Sequence, residues 1–121
     1  MTAWAIVAAL VAGTLGAIIR YTISLALGGK TGFPWPVLIV NVIGSGIAGL
    51  AVGLGERLAL DPHWQYVIVS GLCAGLTTFS TWSMETIQLV MTGKTRIALA
   101  SVALNLVLGL GVAALAYVLS R

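Results

Sequence analysis

Between Gly71 and Glu85 the chain reads GLCAGLTTFSTWSME, with the hydroxyls of Thr77, Thr78, Ser80, Thr81 and Ser83 gathered around Phe79 and Trp82. Hydroxyls donate hydrogen bonds and aromatic rings have positive edges, so such groups can replace the water around a small anion without carrying charge themselves. Asn41, in VLIVNVIGSGIAG, adds an amide with two N–H donors, and Ser45 stands one turn later. Ser101 and Asn105 make a further i, i+4 polar pair. Arg20 lies in apolar sequence and favours anions through its charge. Each group also has a plainer use. Interhelical amide and hydroxyl bonds glue membrane helices at roughly 0.6–2 kcal/mol each, Phe79 and Trp82 suit a packed core at i, i+3, and Arg20 can snorkel to the water boundary.

These residues need elements that cross a bilayer. Of 121 residues, 60% are hydrophobic and only 7% charged, with a mean hydropathy of +1.09, well beyond ordinary soluble domains. Charges are absent from residues 1–19, 31–55, 64–84 and 97–120, uncharged runs of 19, 25, 21 and 24 residues. About 20 apolar residues span the hydrocarbon as a helix, and lipid leaves backbone groups to be satisfied within the segment. The expectation is one all-α membrane domain over residues 1–121, with helices near 3–28, 34–55, 64–91 and 97–119 and both termini on one side. The first ten residues hold no Lys or Arg, which argues against a cleavable signal peptide and for a mature span. Cys73 lies inside the third span and reads as a small buried thiol.

The net charge of +3 is spread over scattered loop and end residues, without the basic stripe of a nucleic-acid binder. Arg57 and Arg121 lie on the side of the termini, and Lys30, Lys94 and Arg96 on the other. Two against three is almost no positive-inside bias, so insertion in both orientations is expected. Gly28 and Gly29 end the first helix, Pro34 and Pro36 start the second, and Asp61 with Pro62 caps the third. His63 reads as a solvated surface residue. Gly49 with Gly53, and Gly71 with Gly75, form GxxxG pairs that let helix backbones approach. Four thin helices hardly enclose an aqueous path, so a homo-oligomer, most simply a dimer, is expected. In the third span, Thr77, Thr81 and Glu85 would share one helical face, and Gly75, Phe79 and Trp82 another. Its hydroxyls and glycines also weaken the helix, which makes a mid-span break plausible; broken membrane helices line cavities or bind ions through freed carbonyls.

Three blocks resemble the Fluc, or CrcB, family of fluoride channels: AGTLGAIIRY is similar to GGxxGAxxRY, VNVIGSGIAG to VNxxGSFxxG, and GLCAGLTTFSTWSME to GxxGGxTTFSTFSxE. They cover about a third of the chain, in the family's order. The resemblance implies passive fluoride export through an antiparallel, dual-topology dimer in the bacterial inner membrane. It puts Phe79 and Trp82 at the aromatic positions of the anion pathway, Asn41 at the pore amide and Arg20 at a vestibule. It also implies a structural sodium ion held by the main-chain carbonyls of Ala74 and Thr77. Trp82 departs from the usual Phe, Ala12 and Ala74 from Gly, and Gly46 from Phe; Ser101 and Asn105 match a polar track on the fourth helix by spacing alone.

Fluoride is small and strongly hydrated, so a pore must supply donors before the ion enters yet hold it weakly enough to release it. Asn41, Thr78, Ser80, Thr81, Ser101 and Asn105 are the expected donors beside the ring edges. No acidic residue lies mid-span, and the membrane potential, about 2.3 kcal/mol per charge per 100 mV, would drive anions outward. A proton-coupled multidrug exporter is the chief rival, but it needs a membrane carboxylate that the first span lacks. A non-transporting assembly subunit, its polar residues only gluing helices, is the other. An enzyme is disfavoured because no nucleophile–base pair, paired carboxylates or metal cluster stands out.

Overall fold

A computed structural model describes residues 2–28 and 32–121. Four segments are long and apolar enough to cross a membrane. The first is α1 (Ala3–Leu27) and the second α2 (Trp35–Glu56). The third is composite: α3 (Pro62–Tyr66), a π-helical stretch (Val67–Cys73), α4 (Ala74–Leu76), a two-residue interruption, then α5 (Phe79–Met91). The fourth is α6 (Thr95–Ser120). Large apolar side chains such as Leu10, Leu25, Val107 and Leu110 are exposed on the outer faces, as in a protein solvated by lipid rather than water. All four expected spans are present, with ends shifted by no more than two residues.

Local chemistry sets those ends. Gly28 closes α1, its N–H donating to Ser24 O at 2.8 Å; the readings made on Gly29 and Lys30 fall outside the described residues. Pro34 is the N-cap of α2, and Pro36 sits in its first turn, where the missing N–H costs nothing. The third span starts at Pro62 rather than 64 because Asp61 accepts the His63 N–H at 2.8 Å. His63 is more engaged than the sequence suggests: Nδ1 lies 3.1 Å from Asp61 Oδ1, and the ring packs 5.4 Å from that of Trp4. Trp4 also meets Trp64 at 5.5 Å, which sets the start of α1 beside the start of α3. Helices α2 and α5 end alike. After α2, Leu58 N bonds Gly55 O at 3.1 Å and Ala59 N bonds Leu54 O at 2.9 Å; after α5, Gly93 N bonds Val90 O at 3.1 Å and Lys94 N bonds Leu89 O at 2.8 Å. Both are Schellman caps whose pivot residue is left-handed, Gly93 at φ 80° and Leu58 at φ 60°.

The helices pack as two parallel pairs, α1 with the third span and α2 with α6. Glycine makes each crossing. A Cβ on Gly71 would lie 2.6 Å from Ala9 O, and one on Gly75 would collide with the Gly13 backbone. A Cβ on Gly49 would strike Ala113, and one on Gly53 would lie 2.7 Å from Tyr117 O. Between lipid-solvated helices no water is released on contact, so close backbone packing supplies the attraction. Cys73 is buried, as its position in the span implies. Tyr117 Oη donates to Glu56 Oε2 at 2.6 Å and ties the end of α6 to the end of α2.

Candidate functional site

The interruption falls inside the hydroxyl cluster. Thr77 (φ −82°, ψ 158°) and Thr78 (φ −148°, ψ 117°) are extended, so the i→i+4 ladder stops and restarts. Side chains and a distant amide take over its bonds. Thr77 Oγ1 and Thr77 N both donate to Cys73 O, at 2.8 and 2.9 Å. Thr78 caps α5, its Oγ1 accepting from Thr81 N at 3.2 Å. Thr78 N donates to Asn41 Oδ1 at 2.9 Å, and Asn41 Nδ2 reaches back to Thr78 O at 3.4 Å. Asn41 therefore pairs with the Thr78 peptide much as a neighbouring strand would, and Gly44, one turn on, leaves room for the Thr77 methyl.

This rerouting bears on the carbonyls of Ala74 and Thr77. In an unbroken helix their donors would be Thr78 N and Thr81 N; here those N–H groups go to the side chains of Asn41 and Thr78. Gly75 O, between them, accepts from Arg20 Nε at 3.2 Å. Arg20 is thus half-buried against the broken helix end rather than snorkelled away from it. Carbonyl oxygens released from a helix suit a hard monovalent cation, so the donor set at Ala74 and Thr77 fits one.

A cavity of about 260 Å³ opens beside the break, lined by Asn41 and Ser45 of α2, Thr77 and Thr78, Phe79 and Trp82 of α5, and Asn105 and Leu106 of α6. Asn41, Thr78, Phe79, Trp82 and Asn105 are brought together as the sequence suggests. Ser101 stands behind: it is fully buried, and its carbonyl accepts from Asn105 Nδ2 at 2.8 Å, orienting that amide. Ser80 and Thr81 do not line the cavity; Ser80 Oγ lies 3.4 Å from Thr78 Oγ1. Arg20 is on the other side of the break, with no direct place in the lining. Ser45 belongs to the lining, and its one-turn spacing from Asn41 was the available signal. The expected separation of a hydroxyl face from an aromatic face does not hold across residues 75–85. The interruption resets the helical phase, so Thr77 joins Phe79 and Trp82 around one space, whereas Glu85 lines a different cavity of about 450 Å³ with Ser24 and Gln88.

The donors around the cavity are unequally occupied. Asn41 Nδ2 donates to Asn105 Oδ1 at 3.0 Å as well as to Thr78 O, so a satisfied chain runs from Ser101 through Asn105 and Asn41 to the break. The Trp82 ring sits edge-on to Phe79, centroids 5.8 Å apart at 74°. Its Nε1 is buried without a hydrogen-bond partner, a state that costs about 1–3 kcal/mol unless an acceptor is supplied. Phe79 is 75% exposed. None of the lining residues is acidic. The space is therefore neutral, lined by two amides, three hydroxyls and two aromatic rings, with both amides already hydrogen-bonded.

The family comparison meets this geometry. The profile described as "CrcB-like protein, Camphor Resistance (CrcB)" matches residues 7–117. The chain belongs to the CrcB family. Three relatives, each named "Fluoride-specific ion channel FluC", align over most of its length. That of Shewanella amazonensis is 47% identical over 103 residues, 83% of this chain and 82% of the relative. That of Serratia proteamaculans is 39% identical over 116 residues, 94% and 91% of the two chains, and that of Leptospira interrogans 38% over 104 residues, 84% and 82%. With four spanning helices, this CrcB-family chain is a multi-pass membrane protein.

Proposed function

We propose that this chain is a fluoride-selective channel that lets the ion leave the cell passively, without catalysing a covalent step. The observation that carries the reading is the neutral cavity at the helix break, where an amide, hydroxyls and two perpendicular rings converge with no carboxylate to repel an anion. Relatives aligned over most of the chain are named for fluoride. The anion passes along Phe79, Trp82, Asn41 and Thr78, exchanging water for donors in steps. Ser101 acts by fixing Asn105, and Arg20 raises the local potential from its place at the helix end. Anion efflux from liposomes holding the purified protein tests this. Fluoride should leave and chloride should not, and Phe79→Ile and Asn41→Ala should each slow the loss. Release of neither ion would leave these residues as packing.

The working unit is read as an antiparallel homodimer in the bacterial inner membrane. Phe79 stands out from the protomer and the cavity is open on that side, which supports a second copy closing it; the near-even distribution of basic residues supports insertion both ways. A reporter fused to the C-terminus should then signal from both sides of the membrane, and a one-sided signal would end the dual-topology reading. A structural sodium ion would be held by the carbonyls of Ala74 and Thr77, neutralising main-chain oxygens that the break deprives of their donors. Replacing sodium by a large organic cation should lower the thermal stability of the purified dimer.

A further inference from the structure

Among the buried polar groups of the residues that line the cavity at the break, the indole N–H of Trp82 stands apart. The Asn41 amide is committed to Thr78 and Asn105, and Asn105 to Ser101. The Thr78 hydroxyl accepts from Thr81 N and lies near Ser80 Oγ. Trp82 Nε1 alone among the buried side-chain nitrogens and oxygens of the described residues has no partner. A phenyl ring could pack against Phe79 without stranding a donor, so packing does not account for the nitrogen. Buried donors in native proteins are almost always paired, and one left unpaired on a residue that lines a cavity calls for an acceptor that comes and goes. Fluoride is the strongest hydrogen-bond acceptor among the halides, and a donor paired with a charged acceptor gains about twice what a neutral pair gains.

We infer that Trp82 Nε1–H is a specificity-determining donor that binds the permeating anion at the helix break and favours fluoride over chloride. This rests on the fluoride reading above and adds to it a named atom. Trp82 thereby supplies an N–H where the neighbouring ring of Phe79 offers only weakly positive C–H edges. The site holds the ion more tightly than two phenyl rings would, and half-saturation of flux comes at lower fluoride.

The test uses the full chain. In detergent micelles, the indole N–H resonances of ¹⁵N-tryptophan protein are followed while sodium fluoride or sodium chloride is added. The four tryptophans are assigned with Trp82→Phe, or by elimination with Trp4→Phe, Trp35→Phe and Trp64→Phe if Trp82→Phe does not fold. The Trp82 resonance is expected to move downfield in a saturable way with fluoride and to stay in place with chloride. In liposomes, Trp82→Phe is expected to raise half-saturating fluoride about tenfold. A Trp82 resonance that ignores fluoride, or follows both halides equally, overturns the inference and leaves the N–H to water. So does a Trp82→Phe protein that conducts with wild-type half-saturation. A wild type that passes no fluoride overturns the channel reading instead, and the resonance titration still decides the fate of the N–H.

Discussion

Helices α2 and α6 run side by side in parallel, yet their contact follows opposite rules at its two ends. Toward Arg57, Gly49 and Gly53 press against Ala113 and Tyr117 so closely that a methyl group has no room. Toward the middle of the spans, Asn41 and Asn105 meet through a 3.0 Å hydrogen bond, and a cavity lies beside them. The glycine end is dry and gains its stability from dispersion; the amide end forgoes that contact and must satisfy every polar atom it buries. Packing stops and function starts within a single helix pair.

The largest effect is expected at the dry end. Gly49→Val forces two branches into the Ala113 backbone and should cost about 3 kcal/mol or more, seen as loss of a monodisperse species after purification. Gly111→Ala on the same α6, where a Cβ meets nothing within 4 Å, should leave the melting temperature unchanged or slightly raised. At the amide end, Asn41→Ala strands the Thr78 N–H and should cost about 1–3 kcal/mol, with fluoride efflux falling at least about tenfold on the same assumption of one lost donor–acceptor set. Asn105→Ala removes one interhelical bond, and the thermal loss should be smaller, about 0.6 kcal/mol. If Asn41→Ala and Asn105→Ala prove equal in both flux and stability, the pairing of Asn41 with the break is not what matters.

Much of the dry end was legible beforehand, because GxxxG spacing states its packing use directly. Gaps between charges gave the four spans, and the density of Ser, Thr and Gly pointed to a broken third helix. The amide end was harder. A helical wheel drawn through residues 75–85 assumes continuous phase, and the extended Thr77 and Thr78 reset it. Asn41 could be identified as important, but its partners are a peptide 37 residues away and a side chain 64 residues away, and spacing within one helix carries no such information. Ser80 and Thr81, expected donors by residue type, share the first turn of α5 with Phe79 and Trp82, and the helical rotation between them turns both off the lining.

The helix ends obey a local conformational rule that substitution can reverse. Leu58 holds a left-handed conformation at the close of α2 that Gly93 holds at the close of α5. Leu58→Gly should therefore stabilise by about 1 kcal/mol, and Gly93→Leu destabilise by a similar amount, measured by thermal melting in one detergent. The smallest effect is at Asp61, where the backbone N–H of His63 holds the carboxyl below its ordinary range. A depressed pKa means stability that is present above the unfolded value near 4 and lost as pH falls through the folded value. The melting temperatures of wild type and Asp61→Asn should differ slightly at neutral pH and converge under acid.

The third span stops at the extended Thr77 and Thr78 and restarts at Phe79. A helix that stops and restarts inside a membrane brings a C-terminal pole and an N-terminal pole within a few residues of each other, each worth roughly half an elementary charge. The end of α4 thereby attracts positive charge, and the start of α5 attracts negative charge. Neither pole belongs to a titrating group, so the electric field it sets in the passage persists from acid to alkaline conditions.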